Sequence, residues 1–326
     1  MSIPLNPNVA ASPLYVGGAS IEDIRQRYGV QEIIKLASNE NPLGPSPLAV
    51  AAIQKTASNL NRYPPMGDDS LRASLARVNG HGLQPENFIT GNGGCDVLNM
   101  LAVGFLSTGD QCVICRPTFP VYEITARRAG ADIIYVDLDP EYYQYDVEAV
   151  LNSITSKTRL VYICSPNTPT GTAISASQID ALINQLPDDI LLVFDEVYYH
   201  FAGAGDHPKM FRYIQEDKNV VLLHSFSKAY GLAGLRLGYG VAPTRLAQYL
   251  SRIREPFHLS SLTLNAALAA LDDPEHVARG VEIVRDGRTW LYGQLLELGL
   301  PTWPSQANFI LFRPPFDPQG ISERLL

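Results

Sequence analysis

Cysteine is scarce in this 326-residue chain, with four residues at 95, 112, 115 and 164. So few thiols over that length do not make a disulfide framework, and the cytosol is the expected compartment. Cys112 and Cys115 have CxxC spacing, but QCVIC reads as a strand, where positions three apart point to opposite faces. No second pair follows, so both read as core residues. The histidines form no HExxH or other tight ligand pair, and no metal is expected. Positive charge is short too. Lys and Arg number 25 against 33 Asp and Glu, a net charge of −8, which argues against nucleic acid as a partner. No apolar run is long enough to cross a bilayer, so no membrane partner is expected. The N-terminal stretch has neither a basic start nor an apolar core, so no signal peptide is expected. Internal repeats and low-complexity tracts are also missing.

What is present describes a globular protein with a substantial core: 46% hydrophobic and 18% charged residues. Residues 1–44 are irregular apart from a helical pattern around Ile21 to Tyr28, and end in IIKLASNENPLGPSP, a turn-rich extended strap. Helices are expected near Pro47 to Ala57 and Asp69 to Asn79, with Tyr63 held extended before two prolines between them. FITGNGGCDVLNMLAVGFL then reads strand, glycine turn, and a helix starting near Cys95 or Asp96. QCVICRPTFPVYEITARRAGADIIYVDL, RLVYICSPNTPTG, ILLVFDEVYYHF and NVVLL continue the alternation, which predicts a mostly parallel sheet covered by helices on both faces. LAQYLSRIREPFHLSSLTLNAALAAL and HVARGVEIVRDGRTWLYGQLLEL carry helical periodicity and predict long helices. WPSQANFILFRPP predicts a late strand that opens a smaller C-terminal domain together with the N-terminal segment.

The richest stretch is SFSKAYGLAGLRLGYG, Ser225 to Gly240. Lys228 lies just past the NVVLL strand, where open α/β sheets place their ligands. Ser225, Ser227 and Arg236 offer hydroxyl and guanidinium donors suited to an anionic phosphate. A lysine fixed beside a phosphate anchor is what pyridoxal phosphate chemistry requires. Asp195 stands at the end of a buried strand, where an acid is costly unless something pairs with it. The glycine turn before Cys95 offers bare backbone N–H groups to an anion, or is a plain tight turn. Phe119 is either a core plug or a ring that stacks on a flat ligand.

Taken together, SNENPLG, RYP, SPNTPTG, DEVYYHF, SFSKAYGLAGLRLGYG and SQANFILFR resemble the fold-type I pyridoxal phosphate aminotransferases, and most of all the histidinol-phosphate aminotransferase group. The resemblance runs over nearly the whole chain. It implies an α/β fold like that of aspartate aminotransferase, with residues 1–44 as an N-terminal arm and part of a small domain. Residues 45–250 would be the large cofactor-binding domain, and 251–326 an incomplete C-terminal small domain. It implies that Lys228 joins the cofactor's aldehyde and, once freed, moves the substrate's proton. Asp195 would pair with the pyridine nitrogen, and Tyr198 and Asn167 would hydrogen-bond the ring's phenolic oxygen, with Phe119 on the ring face. Arg236, Ser225, Ser227 and the backbone N–H groups of Gly94 and Cys95 would hold the phosphate. Tyr63 would reach the cofactor phosphate of a neighbouring subunit, which implies a homodimer with shared sites. Tyr15, Asn41 and Asn308 would line the substrate side.

The chain departs from the family pattern in three places. Gly94 stands where a serine is common, removing a side-chain phosphate donor, and His224 stands where related chains often have arginine. The chain reaches Leu326 before the family's later arginines, which bind the substrate's carboxylate or phosphate, and Arg313 comes too early to replace them. The expected reaction is transfer of an amino group from L-histidinol phosphate to 2-oxoglutarate in histidine biosynthesis. Aromatic amino acid transamination, decarboxylation of a phosphorylated amino acid, and a cofactor-free binding module are the competing readings.

Overall fold

Apolar runs four to seven residues long become the strands, and the turn residues between them become the loops. The computed structural model of the protein describes residues 3–203 and 208–325. Its core is one sheet built from β1 (Phe88–Gly91), β2 (Gln111–Arg116), β3 (Asp132–Asp137), β4 (Thr158–Cys164), β5 (Leu191–Asp195), β6 (Val220–Ser225) and β7 (Gly238–Val241). The spatial order is β1-β7-β6-β5-β4-β2-β3. β7 runs antiparallel to both its neighbours, and the remaining pairings are parallel. The result is the α/β sheet, mostly parallel and covered by helices, that the alternation of strands and helices predicts.

Strict alternation divides each strand between two cores. Val113, Cys115, Val161, Ile163, Leu192, Phe194 and Leu222 belong to one buried cluster. Cys112, Ile114, Leu160, Tyr162, Leu191, Val193, Val221 and Leu223 belong to the other. The two CxxC cysteines therefore lie on opposite faces, as the period of two requires. Helices such as Gly94–Phe105 and Ala176–Gln185 bury their apolar sides against these faces. Among the described residues no helix is long and apolar enough to cross a membrane.

Two expectations fail. The stretch 246–271 is not one helix but two, Thr244–Leu250 and Ser261–Leu271. Pro256 cannot continue a helix. The intervening segment is held away from the helical path by Arg254 Nη1 on Asp68 Oδ2 (2.8 Å) and His258 Nε2 against Thr90 Oγ1 (2.7 Å). The late strand in WPSQANFILFRPP also fails to form, leaving a single bridge between Thr302 and Phe312. Gln306 docks the segment instead: its backbone N–H donates to Gly171 O (2.7 Å), and its side-chain Oε1 accepts from the Gly203 N–H (2.9 Å). The helix after the glycine turn begins at Gly94, one residue before the earlier of the two expected starts.

Candidate active site

The carboxyl ends of β4, β5 and β6 and the start of β7 lie side by side, and the chain's polar residues collect there. Lys228 is three residues past β6. Its Nζ donates to the carbonyl of Ser38 (2.7 Å) and stands 5.6 Å from the Tyr198 ring centroid. Burial pushes this amine down to about 8, with Arg236 adding to the effect and Glu40 opposing it. Asp195 closes β5 and is buried. Burial pushes its carboxyl up to about 6, opposed by hydrogen bonds from Tyr122 Oη (2.5 Å) and the Val197 N–H (3.1 Å).

Tyr122 is a site residue the sequence reading missed. It sits in the first turn of helix Val121–Arg128, three residues after Phe119, and that spacing beside a site loop was its only signal. Phe119 is half-buried, edge-on to Tyr122 (5.7 Å between centroids) and to the exposed Tyr15 (6.3 Å). Tyr198 is buried, its phenol held well above the usual range by desolvation, and its Oη accepts from Asn39 Nδ2 (3.1 Å). Asn167 is fully buried. Its Nδ2 donates to Pro117 O and Thr170 Oγ1 (2.9 Å each), and its Oδ1 accepts from Thr118 Oγ1 (2.8 Å). A bond from Asn167 to a ligand's oxygen therefore requires one of these to be given up.

The SNENPLG strap crosses the cleft. Ser38 and Asn39 both adopt left-handed backbone, φ 68° and 52°, which is strained for residues with a Cβ. That turn aims the Ser38 carbonyl at Lys228 and the Asn39 side chain at Tyr198, while the Asn39 carbonyl accepts from Asn308 Nδ2 (3.0 Å). Asn308 Oδ1 is buried and has no hydrogen-bond partner among the described residues. Asn41 is engaged as a structural tie, with Nδ2 on Ala229 O (3.0 Å) and Oδ1 accepting from the Leu43 N–H (2.9 Å).

On the other side of Lys228, Gly93 (φ 88°) caps helix Gly94–Phe105. A Cβ on Gly93 would lie 2.5 Å from Arg236 Nη2, so the guanidinium rests directly on backbone. Arg236 itself is left-handed (φ 52°), and its Nη1 donates to Ala233 O (2.9 Å). A Cβ on Gly238 would stand 2.3 Å from the Gly94 nitrogen, so β7 and the helix start are pressed together. Ser225 Oγ accepts from the Ser227 N–H (3.0 Å), and Cys95 is exposed at the mouth. Lys228, Asp195, Tyr198, Asn167, Ser225, Arg236 and the glycine turn thus converge on one cleft. Tyr63 does not join them: it is 83% exposed and stacks on Phe257 (4.8 Å, 30°).

Residues 31–318 match the family model for aminotransferase class I and II. The chain belongs to the class I and II aminotransferases. The histidinol-phosphate aminotransferase of Moorella thermoacetica is 41% identical over 313 residues, covering 96% of this chain and 80% of that protein. The one from Ruegeria pomeroyi is 42% identical over 318 residues, covering 97% and 84%. Among solved structures, Sinorhizobium meliloti histidinol-phosphate aminotransferase in complex with pyridoxal-5′-phosphate aligns with a TM-score of 0.87 at 27% identity, over 96% of this chain and 83% of that one.

The aminotransferase's own residues fit that cofactor. The Arg236 guanidinium, the Ser225 hydroxyl and the start of helix Gly94–Phe105 lie together at one end of the cleft, the donor set a phosphate needs. A buried carboxyl whose hydrogen-bond donors among the described residues are a phenol and a backbone N–H can take a further proton donor, such as a pyridinium. A partly desolvated amine stands between the two ends.

Proposed function

We propose that this aminotransferase moves the amino group of L-histidinol phosphate to 2-oxoglutarate, using pyridoxal phosphate. The observation that carries the substrate reading is the likeness to two histidinol-phosphate aminotransferases at 41% and 42% identity over 96% and 97% of the chain. Pyridoxal phosphate, when bound, supplies an aldehyde that takes up the amino group and a ring that draws electrons from the carbon losing its proton.

The chain's residues have the remaining tasks. Arg236, Ser225, Ser227 and the N–H groups of Gly94 and Cys95 hold the phosphate end. Asp195 keeps a proton on the ring nitrogen, and Tyr122 keeps Asp195 oriented and favours its carboxylate form. Tyr198 and Asn167 address the ring's phenolic oxygen, and Phe119 covers a ring face. The Lys228 amine, brought down to about 8, is a competent proton acceptor close to neutral pH, and carries the proton from the substrate's Cα. Tyr15, Asn41 and Asn308 border the substrate, with Asn308 Oδ1, unpartnered among the described residues, available to it.

The working unit is a homodimer in which Tyr63 reaches the partner's phosphate end. Its support is the surface. Tyr63 is exposed, and the arm leaves Ile3, Leu14, Val16, Ile34 and Leu36 uncovered, each more than four-fifths exposed. Residues 1–44 with 251–326 act as the smaller unit against residues 45–250.

A panel of amino donors with 2-oxoglutarate tests the substrate. L-histidinol phosphate is expected to give glutamate and an oxo product with the highest kcat/KM. Preference for an aromatic amino acid, or release of carbon dioxide, would overturn the substrate while keeping the cofactor. A chain that fails to bind pyridoxal phosphate would overturn both.

A further inference from the structure

The strap reaches Tyr198 with a group of fixed hydrogen-bonding sense. A phenol has one hydrogen to donate and lone pairs that accept, whereas an amide nitrogen only donates. Asn39 Nδ2 donates to Tyr198 Oη (3.1 Å), so the strap occupies the accepting side of that oxygen. The hydroxyl hydrogen is then left to point elsewhere. An oxygen that accepts a hydrogen bond is also a stronger donor through its own hydrogen, most of all where water is excluded. Tyr198 is 6% exposed, so water competes little for either side. Its ring is held in place by Phe309, edge-on at 5.1 Å, and by packing with Phe201, Ala229, Val284 and Ala307. The Thr168 hydroxyl also lies beside the phenol. A hydroxyl turns to donate or accept as its partner requires, so it imposes no direction. The Asn39 amide does.

The backbone, and not the amide itself, puts Asn39 there. Its φ of 52° is left-handed, a conformation that asparagine adopts more readily than most residues with a Cβ. The turn is tied on both sides. The Ser38 carbonyl accepts from Lys228 Nζ (2.7 Å), and the Asn39 carbonyl accepts from Asn308 Nδ2 (3.0 Å). Two residues on, Asn41 Nδ2 donates to Ala229 O (3.0 Å). None of these ties uses the Asn39 side chain, so the turn keeps its anchors when that side chain is removed. The same turn therefore sets two things at once, the resting place of the Lys228 amine and the sense of the hydrogen bond at Tyr198.

We propose that Asn39 is a positioning residue for the transamination: by donating to Tyr198 Oη it directs the hydroxyl hydrogen of Tyr198 into the cleft, toward the cofactor's phenolic oxygen, and strengthens that donation. Asn39 touches no reacting atom and acts through Tyr198. The inference rests on pyridoxal phosphate being the cofactor and on Tyr198 facing its phenolic oxygen.

Asn39→Gly is the test, because glycine takes the left-handed backbone without strain and only the amide is lost. The protein is stripped of cofactor, and pyridoxal phosphate is titrated back at one fixed pH. Affinity and the absorption bands of the bound cofactor are recorded, with thermal melting of the cofactor-free chain alongside. Tyr198→Phe and the double variant are measured in the same way. Asn39→Gly is expected to melt close to wild type and to bind the cofactor about threefold to tenfold more weakly. Its bound-cofactor bands should move part of the way toward those of Tyr198→Phe, a change that a loosened strap alone would not produce. With phenylalanine at 198 there is no hydroxyl to direct, so the double variant should match Tyr198→Phe in affinity and in spectrum. Wild-type affinity and bands in Asn39→Gly would overturn the proposal. So would tighter binding, which would mean that Tyr198 spends its hydrogen on Asn39, and so would an Asn39→Gly loss that persists undiminished beside Tyr198→Phe. A Tyr198→Phe chain with wild-type bands would instead remove Tyr198 from the phenolic oxygen, and a wild-type chain that takes up no pyridoxal phosphate would overturn the cofactor reading.

Discussion

An amine and a carboxyl share one cleft, and desolvation moves both toward neutrality, Lys228 down to about 8 and Asp195 up to about 6. Such shifts cost stability and are kept where chemistry uses them. Asp195 titrates higher in the folded state than in the unfolded chain, so its contribution is fully present below about pH 4 and is lost as pH rises through about 6. Asp195→Asn in the cofactor-free protein should therefore melt later than wild type at pH 8, by on the order of 2 kcal/mol, with the gap closing below pH 4. The same variant with cofactor should turn over about a thousandfold more slowly or worse, because the ring nitrogen loses its counter-charge. Equal melting at pH 8 would contradict the desolvation argument. Lys228→Ala should abolish turnover and leave the far-ultraviolet dichroism spectrum unchanged. Residual wild-type-like transamination would remove Lys228 from its role. Tyr122→Phe deletes the 2.5 Å donor that opposes burial at Asp195. Its pyridoxal phosphate affinity should fall several-fold, most steeply on the acid side, in a fluorescence titration.

At the scale of elements, the phosphate end depends on two backbones in contact. Gly238→Ala would drive a methyl into the Gly94 nitrogen, and neither β7 nor the helix start can move without breaking the sheet register. We expect a loss of about 1–3 kcal/mol in urea unfolding and a larger proportional loss of cofactor affinity. Wild-type affinity in that variant would mean the helix start is not part of the cradle. The strands of this sheet were readable because each is a short apolar run bounded by turn residues, and Lys228 and Asp195 because acids and amines at such strand ends are conspicuous. Other features had no comparable mark. Tyr122 reads as one more aromatic on an amphipathic helix. The acceptor on Lys228 is the carbonyl of Ser38, which no side-chain pattern encodes. The break at residues 251–260 escaped because helical spacing resumes on either side, and the segment is turned aside by Asp68 and Thr90, nearly 190 and 170 positions away. The strand expected near residue 310 had suitable composition, but among the described residues it pairs only through the single bridge between Thr302 and Phe312.

For the molecule as a whole, a shared site makes a sharp prediction. Lys228→Ala and Tyr63→Ala should each be inactive or nearly so as pure dimers. Mixed after mild dissociation, they should regain activity, because one site of the hybrid holds both an intact lysine and an intact tyrosine. A mixture no more active than its parts would place each site within one chain. The strap gives a different consequence. Its resting places are Lys228, Ala229 and Asn308, some 190 to 270 positions downstream. During synthesis the ribosome must deliver some 190 to 270 further residues before residues 38–41 can settle. A strap made well ahead of the residues it rests on must therefore wait for them before it can cover the lysine.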